Sequence, residues 1–130
     1  MTNDSNNKRW YDFPPAVRWG MLIAWMVAIF SFSAQPNSAE VTEHVFGSLN
    51  LLARKSAHMA EYAVLYLLVR NAFRRGGLLE LILCVFYAMT DEFHQIFVAG
   101  RSASLSDVMI DSSGAAIMWA IISLCKRVRK

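Results

Sequence analysis

The sequence predicts an all-α integral membrane bundle of four transmembrane helices with a short amphipathic outer segment. Three observations carry this prediction. Apolar residues make up 55% of the 130-residue chain, above the 45–50% usual in soluble domains, and they are concentrated in four stretches. Ten ionisable side chains gather at the ends of three of those stretches instead of being scattered. Basic residues pile up on alternate connections, the bias that marks cytoplasmic loops.

Residues 1–16 form a polar and interfacial N-terminal segment. Trp10, Tyr11, Phe13 and Trp19 are placed like an interfacial aromatic belt. Pro14 and Pro15 suit a helix start, where a missing N–H breaks no intrahelical bond. Residues 17–125 form one membrane domain with no internal repeat. Its first segment, about 17–35, carries no charge after Arg18 and has the roughly 20 apolar residues a span requires. A cleavable signal is disfavoured, because Phe32 stands where a small residue is wanted and three more apolar segments follow.

The connection 35–52 is long. Val41, Val45, Leu49 and Leu52 recur at helical spacing, which predicts the short amphipathic helix, with Glu40, Glu43 and His44 facing water or a polar site. Segments two (about 53–70) and three (about 78–97) reach spanning length only with their polar ends included, and pair as antiparallel helices through 71–77. Segment four, about 106–125, is long enough by itself. The remainder, 126–130, reads KRVRK, a basic tail suited to anionic headgroups. A soluble fold would have to bury all of this within the small interior of a short chain.

With four spans, both termini and the 71–77 connection share one side. That side holds ten basic and three acidic residues, and the opposite side three basic and seven acidic. The basic side is expected to be cytoplasmic, giving a multi-pass inner-membrane protein with both termini inside. The net charge of +3 does not point to nucleic acid, because the cations flank spans without aromatic interleaving on a polar surface. Cys84 and Cys125 lie in different segments and form no CxxC pair, so they read as small packing side chains.

The ten ionisable residues are the functional signal. A charge at membrane depth costs about 2.5–3.5 kcal/mol on insertion scales and is tolerated facing partners, a cavity or the interface. Arg54, His58 and Glu61 share one face of segment two, and Lys55 turns away toward the headgroups. Asp91, His94 and Gln95 share a face of segment three, with Glu92 beside Gln95. Asp107, Asp111 and Gly114 share a face of segment four, and Gly114 with Ala115 permits close helix approach. Arg101 lies in the connection before it, where Ser104 or Ser106 can cap the next helix. Three segments thus aim polar faces at the same outer level.

These residues also carry a resemblance. RKxxHxxEY at 54–62, DExHQ at 91–95, Arg101 and DxxxDxxG at 107–114 resemble the VanZ-like family of bacterial membrane proteins, over about residues 17–125. Asp111 stands where many members carry Asn. The resemblance implies a multi-pass inner-membrane protein of the cell envelope. The family's namesake is associated with resistance to teicoplanin, a lipid-tailed glycopeptide. The signature residues carry over as site residues.

Several chemistries fit this set. His58, His94, Glu61, Asp91, Asp107 and Asp111 offer N and O ligands for a divalent metal. Arg54 and Arg101 can clamp phosphate oxygens while Lys55 attracts a headgroup, and Glu92 is a further acid/base candidate. A metal-free enzyme would use His58 or His94 for proton transfer, oriented by Asp91. No Walker loop or GxSxG elbow accompanies them. In short, the catalytic candidates are His58, Glu61, Asp91, Glu92 and His94, and the substrate-binding candidates Arg54, Lys55, Gln95, Arg101, Asp107 and Asp111. The expected partner is an anionic lipid or a lipid-linked envelope component, with a homo-oligomer possible. A non-enzymatic binder or carrier of such a lipid or of a lipoglycopeptide is the alternative, and so is an ion-paired network that only fixes helix packing.

Overall fold

A computed structural model describes residues 13–36, 47–75, 77–101 and 103–128. Within them lie four α-helices and no strand: α1 (Pro15–Ser33), α2 (Asn50–Phe73), α3 (Leu78–Gln95) and α4 (Leu105–Val128), with a one-turn 3-10 helix at Gly47–Leu49 leading into α2. The expected interfacial residues Trp10 and Tyr11, and Glu40, Val41, Glu43, His44 and Val45 of the amphipathic outer segment, lie outside the described residues, as do Arg129 and Lys130 of the tail.

Local chemistry sets the helix ends. α1 starts at the proline pair, where the Pro14 carbonyl accepts the first bonds from Val17 and Arg18. α2 stops at Arg74, whose φ of 61° is left-handed and whose N–H donates to the Arg70 carbonyl at 2.9 Å. Before α3, the Gly77 N–H donates to Glu80 Oε2 at 2.7 Å, the return arm of a capping box. Of the two serines considered for the start of α4, Ser104 is the cap, its Oγ accepting from the Ser106 N–H at 3.1 Å.

α2 is the hub, packing against all three other helices, most extensively against α4; α1 packs on α2 and lightly on α3, and its described backbone does not come close to that of α4. Leu65, Tyr66, Val69 and Ala72 of α2 meet Leu22 and Ile29 of α1, Cys84 and Ala88 of α3 and Ala115 of α4 in one buried cluster. The Gly114 expectation holds: a Cβ there would stand 2.8 Å from the carbonyl carbon of Met59, so only glycine lets α4 approach the α2 backbone so closely.

Two helices differ by a few residues from the expected bounds. α2 begins at Asn50, so Leu52, assigned to the outer segment, is helical and exposed in its first turn. α3 ends at Gln95 in two turns, Phe97 N–H to His94 O and Val98 N–H to Gln95 O. By length and composition only α1 and α4 meet the requirement for a span, not all four helices, and only 17% of each spanning window is buried, unlike a soluble core helix. α2 and α3 miss the requirement because of their charged ends. Yet α3 turns its charges inward: Glu80, Asp91 and Glu92 are buried, while Ile82, Phe86, Met89 and Phe93 are 53–64% exposed along its outer face. An apolar exterior around a polar interior suits a lipid solvent.

Candidate functional site

The three motif-bearing helix ends meet around one cavity of about 220 Å³. α2 contributes Arg54, Lys55 and His58, α3 contributes Glu92 and Gln95, and α4 contributes Asp107 and Asp111. Arg101 enters from the connection, and Leu51 and Ile110 supply apolar wall. Eight of the eleven sequence-predicted residues therefore share this space.

Arg101 is held in place from two sides. Gly100, with φ of 76°, occupies a conformation that only glycine adopts cheaply, in a turn closed by the Arg101 N–H on the Val98 carbonyl at 3.2 Å. The guanidinium then donates from Nη1 to Gln95 Oε1 and from Nη2 to the Phe32 carbonyl, each at 3.2 Å. Burial, then the neighbouring Arg54 cation, lowers its pKa, against the opposing pull of Asp91 and Glu92. Guanidinium stays protonated in proteins regardless. The site thus has a positioned guanidinium, in a lining that also carries Glu92, Asp107 and Asp111.

The carboxylates are tethered too. Glu92 Oε2 accepts from the Ser104 N–H at 3.2 Å, tying α3 to the start of α4. Lys55 Nζ lies 3.3 Å from Asp107 Oδ1 across α2 and α4, both side chains about one-third exposed (37% and 33%). Pairs so exposed contribute about 0–1 kcal/mol, so this one can open to a ligand at little expense. Asp111 is buried and lies within the field of Asp91, Glu92, Asp107 and Glu61.

The other three predicted residues stand behind the cavity. Glu61 Oε2 is 3.4 Å from His58 Nδ1, one helical turn away. The approach is an ion-pair distance without a hydrogen bond. Asp91 is buried and accepts from Ser33 Oγ at 2.6 Å and Gln95 Nε2 at 3.3 Å. His94 stacks on Phe30, ring centroids 4.0 Å apart and planes 30° apart, away from the cavity lining. The two histidines, interchangeable on the sequence, are thereby separated. Among the described residues no group of three or more His, Cys, Asp or Glu side chains converges closely enough to hold a metal ion, so the side chains in place do not fit the divalent-metal expectation.

α1 supplies contacts that the sequence reading did not assign. Besides Ser33 on Asp91, Trp25 Nε1 donates to the Glu61 carbonyl at 3.1 Å, and Tyr87 of α3 donates its hydroxyl to the Met26 carbonyl at 2.6 Å. A signal existed: Leu22, Ile29 and Ser33 recur at helical spacing and all are buried, so Ser33 extends the inward stripe of an otherwise apolar helix.

The model of the VanZ/LLP1 family matches residues 18–126. The chain belongs to the VanZ-like family. The match spans all four helices and every motif around the cavity, so the VanZ-like core here is an all-α membrane-associated bundle. No curated relative and no solved structure matches the chain.

Proposed function

We propose that this VanZ-like protein is a multi-pass protein of the bacterial cytoplasmic membrane, with all four helices crossing and both termini inside. Its outward-facing cavity receives the phosphate-bearing headgroup of an anionic lipid or lipid-linked wall component. His58 moves the proton in a metal-free hydrolytic or transfer step on it. The observation that carries the reading is Arg54, Lys55, Arg101 and His58 in one cavity at an end of an apolar-skinned bundle. Arg54 and Arg101 would hold phosphoryl oxygens, with Arg101 preset by Gln95 and Phe32. His58, with Glu61 3.4 Å away, would take a proton from water as it attacks phosphorus. The bond to the leaving oxygen breaks, and Glu92 on the facing wall returns a proton to it.

A second reading has its own support. Among the described residues no Ser, Thr or Cys lines the cavity, and non-enzymatic binding of an anionic lipid or lipid-tailed glycopeptide fits the same cations. One experiment separates the readings. The full chain in phosphatidylcholine nanodiscs is given a polyprenyl diphosphate, and both binding and phosphate release are followed across pH. The enzyme reading expects release that His58→Gln abolishes with binding retained, and binding that Arg101→Gln weakens. Binding without release in the wild type establishes the binder, and no binding at all overturns both.

A further inference from the structure

A second cavity lies at the opposite end of the bundle, away from every motif. It is about 620 Å³, within the range of small-molecule sites, and it lies where α1 and α4 both pack on α2 without close approach of their own backbones. Val64, Leu67 and Leu68 of α2 form its floor, with Met21 of α1 and Ile122 of α4 on the flanks. Val64 and Leu67 keep 36% and 39% of their surface exposed there. The rim is cationic, with Arg70, Arg74, Arg75 and Lys126 lining the cavity and no carboxylate among its described lining residues.

We infer that this cleft is a binding site for one anionic phospholipid of the leaflet that meets the basic end, its acyl chains on the Val64–Leu67–Leu68 floor and its phosphate among the four cations. Charge complementarity selects this occupant. A basic pocket between membrane helices is a recurring headgroup site. A second copy of this chain docked here by two-fold symmetry would set the same cations against one another. An uncharged lipid would bring no charge to meet Arg70, Arg75 and Lys126. The neighbouring Arg18 is already engaged, its Nη1 donating to the Asn71 carbonyl at 3.0 Å, so it closes the floor beside the site. Arg74 holds its basic side chain at a left-handed position where glycine is the usual occupant.

Native mass spectrometry of the full chain tests this, using detergent micelles with equimolar dioleoyl phosphatidylglycerol and dioleoyl phosphatidylcholine. One phosphatidylglycerol per chain is expected to survive release from the micelle in preference to phosphatidylcholine. Neutralising rim charges should weaken retention about five-fold for each charge removed, so Arg70→Gln, Arg75→Gln and Lys126→Gln together should lower it about a hundred-fold. Leu67→Trp fills the floor and should block retention with every cation in place. Both variants should keep wild-type helicity by circular dichroism. His58→Gln should retain the lipid fully, because the two cavities lie at opposite ends. Equal retention of phosphatidylcholine, indifference to the triple variant, displacement by millimolar inorganic phosphate, or recovery as a lipid-free dimer through this face would each overturn the assignment.

Discussion

Gly114→Ala tests the α2–α4 contact on which the motif-lined cavity rests. Two effects oppose each other. Alanine is a better helix former than glycine by about 1 kcal/mol in a helix interior, which alone would stabilise α4. But the new Cβ would stand 2.8 Å from the Met59 carbonyl carbon and 3.1 Å from its Cα, whereas carbon atoms sit comfortably at about 3.5–4.0 Å. The obstacle is backbone, so no rotamer change relieves it, and the helices must part by roughly 1 Å at their largest interface. Overpacking of this kind costs about 1–3 kcal/mol, so the net expectation is a loss of about 0–2 kcal/mol. Asp111 and Asp107 lie one and two turns before Gly114, and the Lys55–Asp107 distance of 3.3 Å should open with the helices. Gly20 of α1 is the control, since a Cβ there meets nothing within 4 Å. Gly20→Ala should therefore raise stability by up to about 1 kcal/mol. Thermal unfolding of both variants in the same detergent, followed by circular dichroism, reads the sign. If both variants gain stability alike, the close approach of α4 to Met59 is refuted.

Two further predictions concern the groups around the cavity. Arg101→Lys keeps the charge but cannot bridge Gln95 and Phe32 together; binding of the polyprenyl diphosphate should weaken although net charge is unchanged, and equal affinity would show that Arg101 acts only as a point charge. Ser33→Ala removes the 2.6 Å bond to buried Asp91 and should destabilise by about 0.6–1.7 kcal/mol, the range for interhelical bonds in membranes; an unchanged melting temperature in detergent would mean that this bond does not tie α1 to α3.

The helices and the motif-lined cavity were legible from residue type and spacing because the insertion penalty for charge is large. His58, Glu92, Asp107 and Asp111 had to face inward or the interface, and three faces at one level could only converge. What one sequence leaves open is the partner of each polar atom within that layer. Asp91 shares a helical face with His94, so spacing suggested that it steadies a histidine, yet its side-chain hydrogen bonds come from Ser33 and Gln95. Phe30, Phe32 and Trp25 reach the site region through ring faces, a backbone carbonyl and an indole N–H, contacts that carry no hydropathy signal. By composition α1 and α4 qualify as spans and α2 and α3 do not; mean hydropathy averages around the helix, whereas the inward charges of α3 and its outward phenylalanines differ only in direction.

That difference in direction makes the two motif histidines separable. His58 lines the cavity with Glu61 behind it. His94, on the next helix, lays its ring on Phe30 and has a buried Nδ1 without a hydrogen-bond partner. An unpartnered buried polar atom is a burden of about 1–3 kcal/mol. His94→Phe should thus preserve the ring stack, remove that burden and leave stability equal or higher. His94→Ala should lose the α1–α3 packing along with the ring. If proton transfer belongs to His58, phosphate release by His94→Phe should keep its rate and pH profile, while His58→Gln abolishes release. Loss of release in His94→Phe at undiminished stability would place proton transfer on His94 and refute the separation of roles drawn from the cavity.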